Sequence, residues 1–83
     1  MKVKYGRDIV RKILITGALG QIGSELTAEM RKIYGSDNVV ASNRRIKEGH
    51  EELIGSGPFE IIDVNDPAAL ASAVNKHKIN TIV

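Results

Sequence analysis

There is no cysteine in this chain, so disulfides, thiolate zinc sites and cysteine nucleophiles are excluded. Tryptophan is absent as well, and Tyr5, Tyr34 and Phe59 are the only aromatic residues. A nucleic-acid binder would interleave aromatics with a basic face, so nucleic acid is not an expected partner. No apolar run approaches the roughly 20 residues that span a bilayer. The N-terminus lacks the apolar stretch of a secretory signal. These absences point to a cytoplasmic protein with no membrane partner. The chain has 83 residues, room for one small domain. Such a chain buries only roughly 60–65% of its unfolded surface, so its core is thin.

Charge is present but unevenly placed. The formal net charge is +2. Lys2, Lys4, Arg7, Arg11 and Lys12 stand against Asp8 alone in the first twelve residues, a net +4. The remaining residues carry −2, with seven basic and nine acidic side chains. The basic character therefore belongs to residues 1–11, an N-terminal extension that precedes the domain at 12–83.

The domain alternates two kinds of pattern. Lys12-Ile13-Leu14-Ile15-Thr16 is a short apolar run of the kind that forms a buried parallel strand. Gly17 to Gly23 follows it directly. From Gln21 to Tyr34 the apolar residues Ile22, Leu26, Met30 and Ile33 recur at helical spacing, which predicts one buried face. Gly35 ends that helix. Residues 38–42 predict a second strand, and residues 44–58 a polar loop with a helical turn or two near 48–54. Phe59 to Val64 reads as a third strand. Asp66 has the chemistry of an N-cap, with Pro67 at the first helical position. Leu70, Ala73, Val74 and His77 share a face of the helix that follows, and residues 80–83 begin a fourth strand. Alternation of this kind predicts an α/β fold. Specifically, it is a Rossmann-type doubly wound parallel sheet of order 3-2-1-4 with right-handed crossovers.

The turn from first strand to first helix carries the chemistry. A diphosphate needs several N–H donors and no side chain in its way. A helix N-terminus offers unpaired N–H groups and the positive end of the helix dipole. In Gly17-Ala18-Leu19-Gly20-Gln21-Ile22-Gly23 the first glycine permits a tight turn and Gly20 lets backbone approach the ligand. Gly23 lets the helix lie close to the sheet, while Gln21 and Ile22 offer their N–H groups. A P-loop is excluded, because no Gly-Lys-Ser or Gly-Lys-Thr is present. Ligands of open parallel sheets sit beyond the carboxyl ends of the strands. That places Asn43 and Arg44 near an adenosine ribose, and Asp63 and Val64 near the adenine. His50 and His77 have no matched ligand set, so no metal site is expected. Glu48, Glu51 and Glu52 read as a solvated face.

The stretch from Ile15 to Leu26 resembles the extended short-chain dehydrogenase/reductases, the NAD-dependent epimerase/dehydratase family. Residues 34–42, 57–64 and 79–83 make the resemblance narrower, to short-chain-type L-threonine 3-dehydrogenases. That resemblance implies NAD-dependent oxidation of the L-threonine hydroxyl to give 2-amino-3-ketobutyrate. It implies that Gly17, Gly20 and Gly23 are the cofactor-loop glycines and Asp63-Val64 the adenine-side pair. The family places an acidic residue at the end of the second strand, where this chain has Asn43. Asn43 carries no charge to repel a 2′-phosphate, and Arg44 and Arg45 follow it, so NADP stands as the alternative to NAD. The family's catalytic Ser/Thr and Tyr-x-x-x-Lys lie beyond residue 83. Tyr5 and Tyr34 are followed four residues on by Ile9 and Asn38, so neither makes that motif. No catalytic residue is therefore expected here. The chain reads as a Rossmann domain truncated at its fourth strand, partnered by a missing C-terminal part, by the dinucleotide and by further copies of itself. A fragment of a sugar-nucleotide epimerase or dehydratase is one alternative. A non-catalytic nucleotide-binding or purely structural module is another.

Overall fold

The computed structural model describes residues 11–83. The basic extension lies outside these residues, apart from Arg11. Its guanidinium donates to Thr81 Oγ1 at 3.2 Å. The elements run β1 (Ile13–Ile15), α1 (Gln21–Tyr34), β2 (Val39–Asn43), α2 (Glu51–Gly55), β3 (Phe59–Ile61), α3 (Pro67–His77) and β4 (Thr81–Ile82). The four strands form one parallel sheet of order β3-β2-β1-β4, as the alternation of patterns requires. The register places Ile13 beside both Val39 and Thr81, and Asn43 beside Ile61. The ladder reaches Val83, whose N–H donates to the Leu14 carbonyl at 2.9 Å.

The sheet is covered on both faces, which is why β1 and β2 are apolar at successive positions. Ile13, Ile15, Val39 and Ala41 point to one face, where Leu26 and Met30 of α1, Leu53 and Phe59 pack. Leu14 and Val40 point to the other, against Ala73, Leu70 and Val74 of α3. Asp66 caps α3 by accepting the Ala69 N–H at 3.2 Å, with Pro67 beginning the helix. Gly35 ends α1 at φ 93°, and its N–H donates to the Arg31 carbonyl. A 3-10 turn over Ser36–Asn38 then leads into β2, so the second strand starts one residue later than the apolar run suggested.

The buried face of α1 differs from the one its apolar residues predict. Ile22 and Ile33 are 80% and 67% exposed. The stripe that meets the sheet is rotated toward Gly23, Thr27 and Arg31, and both of the last two are buried. Close approach at Gly23 sets this rotation, and Thr27 survives burial by donating its hydroxyl to the Gly23 carbonyl at 2.7 Å. Ile61 is exposed at the end of β3, the edge strand of the sheet.

On the α3 side, Glu60 carries a polar cluster. Its Oε2 accepts from His77 Nε2 at 2.6 Å and lies 3.0 Å from Lys76 Nζ. The His77 bond, then the Lys76 bond, hold the Glu60 carboxyl below its ordinary value. A carboxylate depressed in the folded state stabilises the fold above its unfolded value, about 4.3. That contribution disappears as pH falls through the folded value. Thermal melts taken from about pH 6 down to about pH 3 should therefore show a shallower loss of Tm for Glu60→Gln than for the parent. Parallel curves would show that the cluster contributes nothing.

Candidate nucleotide-binding site

The loop after β1 turns because Gly17 adopts φ 64°, in the left-handed region that favours glycine. Three bonds then fix it. The Ala18 N–H donates to the Ser42 carbonyl at 2.8 Å, and the Leu19 N–H to Asn43 Oδ1 at 3.3 Å. The Gly20 N–H donates back to the Gly17 carbonyl at 3.1 Å. Helix α1 begins at Gln21 with Gly20 as its cap residue, which has no side chain to serve as a cap.

Ser24 is the first residue whose N–H is bonded within the helix, to the Gly20 carbonyl at 2.8 Å. The N–H groups of Gln21, Ile22 and Gly23 meet no acceptor among the described residues. Three adjacent free donors stand at the positive end of a fourteen-residue helix, an arrangement whose chemistry suits an anion. Gly20 and Gly23 are glycines for different reasons. A Cβ on Gly23 would collide with the Gly17 carbonyl oxygen and lie 3.0 Å from Ala18 Cα. A Cβ on Gly20 would meet only the Gly17 carbonyl oxygen, at an ordinary 3.4 Å. The fold itself has no need of glycine at 20, so the space it leaves is open to a ligand approaching the free donors.

Beside the loop, at the carboxyl ends of β1, β2 and β3, lies a cavity of about 200 Å³. Gly17, Asn43, Arg44, Ile62, Asp63, Val64 and Asn65 line it. The structure thus brings five of the sequence-designated residues to one place. Gly20, Gln21, Ile22 and Gly23 do not line this cavity. Asn43 is 8% exposed, and its Nδ2 donates to the Arg45 carbonyl at 2.9 Å. Arg44 Nε lies 3.7 Å from Asp63 Oδ2. Asp63 also accepts the Asn65 N–H at 2.9 Å, which shapes the turn into α3. Ser42, Ile62 and Asn65 were not singled out from the sequence. Ser42 had a signal: it is a lone hydroxyl at the end of an apolar strand, and it donates to the Ile15 carbonyl at 2.9 Å. A larger cavity of about 460 Å³ between α1 and α2 includes Arg31, Lys32 and Glu52, and it lies away from the strand ends.

A strand, glycine turn and open helix N-terminus at the head of a 3-2-1-4 sheet match a known family model over residues 13–83, that of the NAD-dependent epimerase/dehydratase family. The chain belongs to that family. An uncharacterized epimerase/dehydratase of Staphylococcus saprophyticus is 47% identical over 74 residues, which is 89% of this chain and 23% of the relative. An L-threonine dehydrogenase structure from Clostridium difficile superposes with a TM-score of 0.82 at 53% identity, covering 88% of this chain and 23% of that one. The holo form of a GalE-like L-threonine dehydrogenase from Cupriavidus necator gives 0.75 at 37% identity, covering 86% and 22%. The chain therefore spans about 23% of the length of the curated relatives it matches. Among the described residues, no helix is long and apolar enough to cross a membrane.

Proposed function

We propose that this chain is the dinucleotide-binding segment of an oxidoreductase that uses NAD to oxidise L-threonine to 2-amino-3-ketobutyrate. The observation that carries the reading is the row of free N–H groups at Gln21, Ile22 and Gly23, opened by Gly20 and turned by Gly17. They bind the diphosphate, while Asn43, Arg44, Asp63 and Val64 surround the adenosine half. The dinucleotide supplies the hydride acceptor. These residues orient it, and the proton of the alcohol needs a base within roughly 3 Å that belongs to another part of the protein.

The choice of NAD over NADP rests on the family, and Arg44 is the residue that argues locally for NADP. Its guanidinium lies 3.7 Å from the Asp63 carboxylate, an exposed pair that holds it only weakly. Asn43 adds no repelling charge, so discrimination is relaxed. The substrate assignment is supported by the threonine dehydrogenase structures. A sugar-nucleotide epimerase or dehydratase is the second reading, favoured by the name of the staphylococcal relatives. A cytoplasmic setting and self-association belong to the same proposal.

The test is paired titrations of the full-length protein with NAD and NADP, followed by an assay for threonine-dependent NADH formation. We expect tighter NAD binding and threonine oxidation. A tenfold preference for NADP, about 1.4 kcal/mol, would overturn the cofactor assignment. NAD binding without threonine turnover, but with conversion of a sugar nucleotide, would favour the second reading.

A further inference from the structure

We infer that Asn43 is a positioning residue that ties the two halves of the cofactor site together through the glycine loop. The inference rests on the dinucleotide reading and deepens it. Residue 43 ends β2, where a side chain is expected to work by meeting the ribose hydroxyls. In this structure the amide is turned inward. Its oxygen holds the Leu19 N–H at 3.3 Å, and its nitrogen holds the Arg45 carbonyl at 2.9 Å. Next to it, the Ser42 carbonyl holds the Ala18 N–H. Two consecutive residues of β2 therefore grip two consecutive N–H groups of the loop. Asn43 alone also grips the exit of β2, where Arg44 turns toward Asp63.

The amide does both jobs at once, which a carboxylate cannot. It has one acceptor and one donor end, and here they face an N–H and a carbonyl. A carboxylate would keep the Leu19 bond, lose the Arg45 bond and set one oxygen against another. The latch fixes where the free donors at Gln21, Ile22 and Gly23 stand relative to Arg44 and Asp63. Ligand binding then does not have to order the loop, which is the advantage of preorganisation.

Two variants separate the two bonds in the full-length protein. Asn43→Ala removes both, and Asn43→Asp keeps the acceptor for Leu19. In the ligand-free state, amide exchange at Leu19 is expected to be about tenfold faster in Asn43→Ala and near the parent rate in Asn43→Asp. Titration with ADP and with NAD should show about tenfold weaker binding of both ligands to both variants. The ratio of NAD to NADP affinity should still rise in Asn43→Asp, because its charge repels the 2′-phosphate. A role confined to the ribose hydroxyls predicts the opposite sign: Asn43→Asp would bind NAD as tightly as the parent or more so. That result, or unchanged Leu19 exchange in Asn43→Ala, overturns the inference. Failure of the parent protein to bind either ligand overturns the nucleotide reading itself, and the Leu19 exchange rates still decide the latch. If Asn43→Ala does not fold, the sign of the Asn43→Asp titration decides the inference alone.

Discussion

Replacing Gly23 by alanine is expected to weaken dinucleotide binding by at least about a hundredfold, roughly 2.7 kcal/mol. The added Cβ would run into the Gly17 carbonyl oxygen and crowd Ala18 Cα at 3.0 Å. Both are backbone atoms, and neither can swing aside as a side-chain tip would. Ala18 and Leu19 are tied to the end of β2, so the loop cannot retreat cheaply. Helix α1 must move instead, and it takes the free N–H groups of Gln21, Ile22 and Gly23 with it. Part of the cost falls on stability, because α1 covers Ile13, Ile15, Val39 and Ala41. Gly20→Ala is the companion measurement. Its Cβ makes only an ordinary 3.4 Å contact, so Tm should stay near the parent value while NAD affinity falls. Calorimetric titration and thermal melts on the two variants separate the effects. A Gly20→Ala protein that binds NAD like the parent would remove Gly20 from the site. A Gly23→Ala protein that does so would show that the helix accommodates the methyl group.

The glycine turn could be read from the chain because its requirements are local. A positive φ at Gly17 and a helix start without a capping side chain leave direct traces in sequence. The same holds for the Asp66-Pro67 start of α3, where a side-chain acceptor and a fixed φ act on their nearest neighbours. The parallel order of the sheet followed from alternation and crossover handedness. What stayed hidden was set by packing across the sheet. Ile22, Leu26, Met30 and Ile33 have the right spacing for a buried face, yet Ile22 and Ile33 are exposed. Helical period fixes which residues share a face, while the contact at Gly23 fixes which face turns inward. At Lys78 the chain ends α3 in the left-handed region at φ 55°, without a glycine to announce it.

The site was half legible for the same reason. Asn43, Arg44, Asp63 and Val64 could be assigned to one place because every parallel strand delivers its carboxyl end to the same edge. What each side chain does there could not be assigned. Asn43 binds backbone on two segments, and Asp63 is shared between Arg44 and the Asn65 N–H. These partners lie within the folded site and leave no mark in spacing. A charged residue among polar neighbours reads as solvated until its acceptors are placed around it, and Arg31 is the extreme case.

Arg31→Leu is expected to cost about 3 kcal/mol or more, a large share of the 5–15 kcal/mol typical of a native domain. Arg31 is 6% exposed. Its Nε donates to the Val39 carbonyl at 3.2 Å, and one terminal nitrogen to the Pro58 carbonyl at 2.7 Å. The other terminal nitrogen donates to the Leu53 carbonyl at 2.7 Å and to Ser56 Oγ at 3.1 Å. One side chain on α1 thus satisfies the start of β2, the end of α2 and the approach to β3. Burial lowers the Arg31 pKa from its ordinary value, but guanidinium remains charged at any working pH. The carbonyl dipoles carry the stabilisation in place of a carboxylate. Leucine would leave three carbonyls without this donor and could not fill the fork-shaped space. Arg31→Lys keeps the charge but offers a single point in place of a planar fork, so it should recover only part of the loss. Gly57→Ala attacks the same contact from outside, since its Cβ would lie 2.7 Å from Arg31 Cζ and Nε. Urea unfolding of the three variants checks the account. The expected order of stability is parent, then Arg31→Lys, then Arg31→Leu, with Gly57→Ala also below the parent. An Arg31→Leu protein within about 1 kcal/mol of the parent, below the typical cost of an unsatisfied buried group, would show that the helix and loops repack without the guanidinium.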